Sequence, residues 1–100
     1  SGSSPAYFFQ FLEAMQQGLI EMGLDENQSR ALVQQAMLGS AKLVIENPQT
    51  ALSTLRENVT SKGGTTAAAL NVFNQLQFND IIKQAMQACV ARSQEMEKLF

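Results

Sequence analysis

The sequence contains no histidine, a single cysteine and few charged residues. Without histidine, no Ser-His or Cys-His nucleophile pair and no histidine metal site can form. The lone Cys89 gives no disulfide framework, which indicates a reducing, cytoplasmic setting. The acidic residues are spread among helix starts and polar faces, so no pair is placed for acid–base chemistry. We predict no metal site, and we expect any catalysis to need a cofactor or another domain.

Charge is also scarce, at 16% of residues, against an average of about 25% in globular proteins. The seven basic residues are scattered and the net charge is −2, so the sequence predicts no nucleic-acid surface. No apolar run approaches the ~20 residues of a membrane span, and no membrane association is predicted. With 45% hydrophobic residues, the chain is expected to hide part of its apolar surface against a partner chain.

Apolar residues recur at helical spacing along the chain, and no strand-like alternation is present. The sequence therefore predicts an all-α domain of about five helices with no sheet. The first predicted helix has an N-cap at Ser3 or Ser4 and ends at Gly23, and the second covers 26–46 and is capped by Asp25 and Gln28. The third is short, with Asn47 as its cap and Pro48 as its first residue. The fourth runs from Thr66 to about Leu76, and the last begins at Asn79-Asp80.

Small residues on the first two helices indicate sites of close packing. Gly18 costs a helix about 1 kcal/mol relative to alanine, so we predict a tight contact there. Ala36, Gly39, Ser40 and Ala41 form a small-residue patch that admits another helix. That helix belongs either to the same chain or to a second copy, and the sequence does not distinguish the two.

The segment Asn58-Val59-Thr60-Ser61-Lys62-Gly63-Gly64-Thr65-Thr66 interrupts the apolar pattern. It brings the chain's one Gly-Gly pair directly before a predicted helix. Backbone N–H groups at a helix N-terminus lack partners and lie at the positive end of the helix dipole, so they suit a phosphate or carboxylate. The hydroxyls of this segment are further candidate donors. The alternative is a plain turn with an ordinary Thr or Ser N-cap and no ligand.

Two segments resemble the Δ1-pyrroline-5-carboxylate reductase family. Val59-Thr60-Ser61-Lys62-Gly63-Gly64-Thr65-Thr66 is similar to the family's signature loop, V-T/S-S-P-G-G-T/A-T. Ser1-Gly2-Ser3-Ser4-Pro5-Ala6-Tyr7 is similar to the S-G-S-G-P-A-Y segment that opens its C-terminal domain. The resemblance continues between the two motifs and covers essentially the whole chain. It implies that residues 1–100 are the family's helical C-terminal domain, an interleaved dimer, without the N-terminal Rossmann domain.

The resemblance implies an enzyme that reduces 1-pyrroline-5-carboxylate to L-proline with NADP(H) or NAD(H), the last step of proline synthesis. The cofactor is held mainly by the absent domain, so the isolated chain is expected to be inactive. The partners implied are the substrate and a second copy of the chain, with higher oligomers also open. The alternatives are a stand-alone helical dimerisation module and a peptide-binding module that uses the five methionines.

The same resemblance assigns roles within the loop. The implied substrate-binding residues are Val59, Ser61, Gly63, Gly64, Thr65 and Thr66. The backbone N–H groups of Gly64, Thr65 and Thr66 and the Ser61 hydroxyl are expected to hold the substrate carboxylate, and Val59 to pack against the ring. Thr66 is the implied catalytic residue, since its hydroxyl bonds the ring nitrogen, and Asn58 is expected near the nicotinamide. Two positions depart from the family pattern: Lys62 stands where proline is usual and Ser4 where glycine is usual.

Overall fold

A computed structural model describes residues 2–99, and within them every regular element is an α-helix. The helices are α1 (Ser4–Glu21), α2 (Glu26–Glu46), α3 (Leu52–Asn58), α4 (Thr65–Gln75) and α5 (Phe78–Leu99). The prediction of an all-α fold with about five helices and no sheet is confirmed. Ser1, the first residue of the opening motif, lies outside the described residues. The chain divides into two compact units, Ser1–Leu55 and Arg56–Phe100.

The first unit is a helical hairpin of α1 and α2. Gly23 ends α1 as predicted: it has φ +113°, its N–H donates to Ile20 O at 3.0 Å, and Leu24 N–H donates to Leu19 O at 3.1 Å. These two bonds form a Schellman motif, in which glycine provides the left-handed residue. The predicted cap of α2 is confirmed, since Gln28 N donates to Asp25 Oδ1 at 2.7 Å and Asp25 N donates to Gln28 Oε1 at 3.4 Å.

Two local predictions in this unit need correction, and a third is not met within the single chain. Ser3 is the N-cap residue and Pro5 lies in the first turn, as predicted, but Ser3 has helical φ −86° and ψ −22° and its side chain makes no capping bond. Gly18 has open space where its Cβ would be, so no part of the described chain makes the predicted close contact there. Asn47 does not cap α3; its Nδ2 donates to Leu43 O at 2.8 Å at the end of α2. A turn follows, with Thr50 N donating to Asn47 O at 3.0 Å.

The second unit contains the Gly-Gly loop, α4 and α5. α4 and α5 meet at Leu76-Gln77, where Gln77 has a left-handed φ of 59°. The rings of Phe73 and Phe78 stack across this joint with centroids 5.0 Å apart. α4 begins one residue before the predicted Thr66 and α5 one residue before the predicted Asn79. Such shifts follow from caps that the sequence pattern does not reveal.

Each unit leaves most of its apolar side chains in solvent. Among residues 2–98, Val33, at 4% exposed, is the buried apolar side chain, and Phe9 and Ile45 are 66% and 75% exposed. The chain exposes 8517 Å² in total. Two separate globular bodies of the size of these units would expose about 6,700 Å² by the usual scaling with mass. The exposed residues include many large apolar side chains, and a folded protein normally covers such surface with a partner.

Candidate functional site

The candidate site is the loop between α3 and α4, and its first part is set by the way α3 ends. Val59 N and Thr60 N donate to the carbonyl oxygens of Arg56 and Glu57 at 3.3 and 3.0 Å. These are 3₁₀-type bonds, which tighten the last turn of a helix. The Thr60 hydroxyl also donates to Arg56 O, at 2.6 Å. Thr60 was a candidate ligand donor from the sequence, but its hydroxyl is engaged in ending α3.

A tight turn follows over Ser61–Gly64. Gly64 N donates to Ser61 O at 3.0 Å, and Gly63 has φ +72°. Lys62 has no positive φ, so Lys62 and Gly63 fit positions i+1 and i+2 of a type II turn, which favour proline and glycine respectively. The turn thus explains why proline is usual at the position of Lys62. Lysine keeps the turn without proline's fixed φ.

The second glycine is needed for a different reason. Gly64 has φ −87° and ψ −175°, which any L-residue adopts. A Cβ placed on it would lie 3.2 Å from Ser61 O and 3.3 Å from Ser61 Cβ, closer than ordinary van der Waals contact. Gly63 therefore serves the backbone conformation, and Gly64 serves the close approach of Ser61 to the start of α4.

Gly64 is also the N-cap of α4 and supplies no side-chain cap. The first helical bond runs from Ala68 N to Gly64 O at 3.2 Å. The three preceding amides, of Thr65, Thr66 and Ala67, belong to the helix's first turn, which has no intrahelical acceptors. An ordinary Thr or Ser N-cap, the alternative that needs no ligand, is therefore not what the structure shows.

The donors differ slightly from those expected. Gly64 N–H is engaged within the turn, while Ala67 N–H joins the free donors of the first turn. Sequence reasoning missed Ala67 because it started α4 at Thr66; a glycine N-cap at position 64 is the signal that shifts the first turn. The side chains of Ser61, Thr65 and Thr66 are exposed, so they reach a ligand without rearrangement.

The site is open rather than enclosed. Val59 is 64% exposed, and Asn58 is exposed as well. Three clefts formed by the described residues lie elsewhere, along α5, at the α4–α5 joint, and between α1 and α2. The loop thus offers hydrogen-bond donors for an anion, but no other described residues enclose a ligand bound there.

The described part of the chain shows neither a metal-binding cluster nor a membrane-spanning helix. Among residues 2–99, no group of three or more acidic or cysteine side chains is placed to hold a metal ion. None of the helices within that range combines the length and the hydropathy needed to cross a bilayer. The loop remains the candidate ligand site.

Comparison with known proteins identifies the family to which this loop belongs. The family model described as "Pyrroline-5-carboxylate reductase dimerisation" matches residues 1–96. The chain belongs to this family. The resemblance inferred from the two motifs is therefore confirmed, and it extends through both units.

Individual relatives agree with the family match. The chain is 73% identical over its whole length to the pyrroline-5-carboxylate reductase of Haemophilus influenzae, of which it spans 37%. It is 38% identical over 98 residues to the pyrroline-5-carboxylate reductase of Escherichia coli K12, of which it spans 36%. The chain thus covers little more than a third of these relatives, which have further sequence beyond the matched region.

Solved structures show the same fold. A pyrroline-5-carboxylate reductase from Coxiella burnetii matches 95% of this chain and 35% of its own, with a TM-score of 0.89 and 36% identity. A Plasmodium falciparum pyrroline carboxylate reductase with NADP bound matches 88% of this chain and 33% of its own, with a TM-score of 0.83 and 31% identity.

Proposed function

We propose that this chain is the C-terminal dimerisation domain of a cytoplasmic enzyme that reduces 1-pyrroline-5-carboxylate to L-proline, and that its Gly-Gly loop binds the substrate carboxylate. The observation that carries the proposal is the α4 N-terminus, where Thr65, Thr66 and Ala67 present amides without helical acceptors beside an exposed Ser61 hydroxyl. The 73% identity to a pyrroline-5-carboxylate reductase over the whole chain supports this assignment.

The nicotinamide cofactor, NADP(H) or NAD(H), is held mainly by a domain outside this chain. A dinucleotide site of the Rossmann type needs a strand, a G-x-G-x-x-G turn and a helix. The described residues contain no strand, and the sequence has no such glycine spacing. When bound there, the reduced cofactor supplies the hydride. This chain would position the acceptor, and Asn58, the last residue of α3, is the residue that we assign to contact with the nicotinamide.

The substrate carboxylate suits the loop chemically. Hydrogen bonds to a charged group contribute about 1.5–3 kcal/mol each, so three amides and one hydroxyl fix the orientation of a small ring. The dipole of α4 adds a favourable positive potential at the same point. Lys62 is exposed beside this site, and we propose that its ammonium group points into solvent and does not bind the carboxylate.

Thr66 combines an amide at the helix N-terminus with an exposed hydroxyl, and we assign this hydroxyl to the ring nitrogen. A threonine hydroxyl is far too weak an acid to protonate an imine outright. Its role is to orient the ring and pass on a hydrogen bond, while Val59 packs against the ring carbons. Such orientation matters because hydride transfer needs the reacting atoms ~3–3.5 Å apart.

The second half of the proposal is the dimer. The exposed apolar faces of both units require a partner, and the space beside Gly39 in the small-residue patch holds no other part of the chain. Of the two possibilities for this patch, a helix of a second copy is therefore favoured. We propose an interleaved homodimer whose helices cover these faces. The chain alone, of 10.9 kDa, should scatter light as a dimer or larger, and a clean monomer at micromolar concentration would oppose this arrangement.

Steady-state kinetics of the full-length protein test the proposed chemistry. Thr66→Ala should lower kcat/KM for pyrroline-5-carboxylate at least about tenfold, since one charge-assisted or ring-orienting bond is lost. Thr54→Ala, an exposed threonine on α3, is the matched control and should leave kinetics unchanged. The isolated chain should show no NAD(P)H oxidation. Near-normal kinetics of Thr66→Ala would remove Thr66 from the mechanism, and a full-length dimer without turnover would support the non-catalytic alternatives.

A further inference from the structure

Thr60 makes two hydrogen bonds to α3 at the point where the chain leaves that helix. Its backbone N–H donates to Glu57 O at 3.0 Å, and its hydroxyl donates to Arg56 O at 2.6 Å. If α3 continued as an α-helix, the Thr60 N–H would donate to Arg56 O. The hydroxyl takes the place of that amide. The chain therefore turns out of the helix while the Arg56 carbonyl keeps a short hydrogen bond.

This arrangement fixes the residue that follows. A β-branched side chain has few χ1 choices, and Thr60 is half-buried, so two bonds from one residue hold the backbone at position 60 against α3. Ser61 comes next, and its carbonyl accepts the Gly64 N–H at 3.0 Å. Ser61 is thus held from one side by the Thr60 anchor and from the other by the start of α4.

We propose that Thr60 is a positioning residue for substrate binding. Its hydroxyl, bonded to Arg56 O, sets the place of the Ser61 hydroxyl relative to the free amides of α4. Because its one hydroxyl proton is used in the helix-ending bond, Thr60 does not donate a hydrogen bond to the substrate carboxylate. This inference rests on the proposed carboxylate-binding role of the loop.

The test uses three variants of the full-length protein. Thr60→Val keeps the shape of the side chain and removes the hydroxyl, Thr60→Ser keeps the hydroxyl and removes a methyl group, and Thr54→Val makes the same hydroxyl-to-methyl change on an exposed face of α3. KM and kcat are measured separately for the imino acid and for the nicotinamide cofactor, together with the melting temperature.

Thr60→Val should raise the KM for the imino acid about fivefold, the change that corresponds to one neutral hydrogen bond. Its KM for the cofactor should stay close to wild type, and its melting temperature should fall by no more than about 4 °C, the shift that the loss of one hydrogen bond gives in the full-length protein. Thr60→Ser should restore the imino-acid KM, and Thr54→Val should change neither constant. Equal KM values for wild type and Thr60→Val would overturn the inference, as would equal defects in the Val and Ser variants or a parallel rise in the cofactor KM.

Two further variants separate this inference from the function on which it rests. Ser61→Ala and Thr66→Ala remove groups assigned to the substrate itself. If both weaken imino-acid binding while Thr60→Val does not, the loop binds the substrate and only the role of Thr60 is wrong. If neither of them has an effect, the proposed carboxylate site is wrong, and the Thr60 inference falls with it.

Discussion

The two glycines of the loop should respond oppositely to alanine, because they are required for different physical reasons. Gly63 has φ +72° and open space around its missing Cβ. Gly64 has an ordinary φ of −87° but lies within 3.3 Å of two Ser61 atoms once a Cβ is added. Gly63→Ala therefore strains the backbone alone, and Gly64→Ala displaces Ser61.

The magnitudes separate the two variants. A left-handed backbone costs a non-glycine residue about 1–2 kcal/mol, which should lower the melting temperature of the larger full-length protein by roughly 2–8 °C. For Gly64→Ala, the weaker N-cap costs about 0.5–1 kcal/mol, and the lower entropy of the unfolded chain returns about 0.4–1 kcal/mol. These two terms nearly cancel, so the sign of the small net change is set by how easily Ser61 moves away from the added Cβ. Displacing the Ser61 hydroxyl from a carboxylate, however, costs about 1.5–3 kcal/mol, at least about tenfold in KM.

Thermal unfolding and steady-state kinetics of the full-length protein read out both effects. Gly63→Ala should lower the melting temperature. At temperatures where the variant is folded, its imino-acid KM should change less than that of Gly64→Ala. Gly64→Ala should melt near wild type with imino-acid KM raised at least about tenfold. The reasoning is refuted if Gly64→Ala binds substrate normally, or if Gly63→Ala melts at the wild-type temperature.

Two predictions concern packing. Ser29 is fully buried, and its Oγ has no hydrogen-bond partner within the described residues. Ser29→Ala should therefore leave the free energy of unfolding in urea unchanged or raise it by about 1 kcal/mol. A loss of more than about 1 kcal/mol would show that the hydroxyl has a partner in the assembled protein. Gly39→Leu fits the single chain, which has open space there, but should clash with a partner helix and shift light scattering towards monomer. Gly39→Ala, which adds only a methyl group, is the graded control, and an intact Gly39→Leu dimer would place the interface elsewhere.

Elements with strong local signals were predicted correctly from the sequence. The Asp25–Gln28 pair fixes the start of α2 because both of its bonds lie within four residues of chain. Gly23 ends α1 because a left-handed residue is needed there. The same locality explains the recognition of the Gly-Gly loop, whose residue types are dictated by a turn and a helix start.

Predictions failed where one side chain had two local choices. Asn47 had the sequence signature of an N-cap before Pro48, but its amide bonds back to Leu43 O and ends α2 instead. Asparagine side chains compete for neighbouring backbone groups in either direction, and sequence spacing does not decide between them. Thr60 is a parallel case: it was a candidate ligand donor, and its hydroxyl ends α3.

The sequence by itself determined the helical class, the absence of histidine chemistry and the family, since these depend on composition, periodicity and short motifs. The tertiary structure decided which groups of the loop are free. It showed that the Gly64 amide closes a turn, that Ala67 joins the donors, and that Gly64 is required by the approach of Ser61. It also showed how little each unit buries by itself. The loop features are local, but they depend on α4 beginning directly after Gly64, which the residue pattern leaves open by one residue. The burial of each unit depends on contacts between residues far apart in sequence, which no local pattern contains.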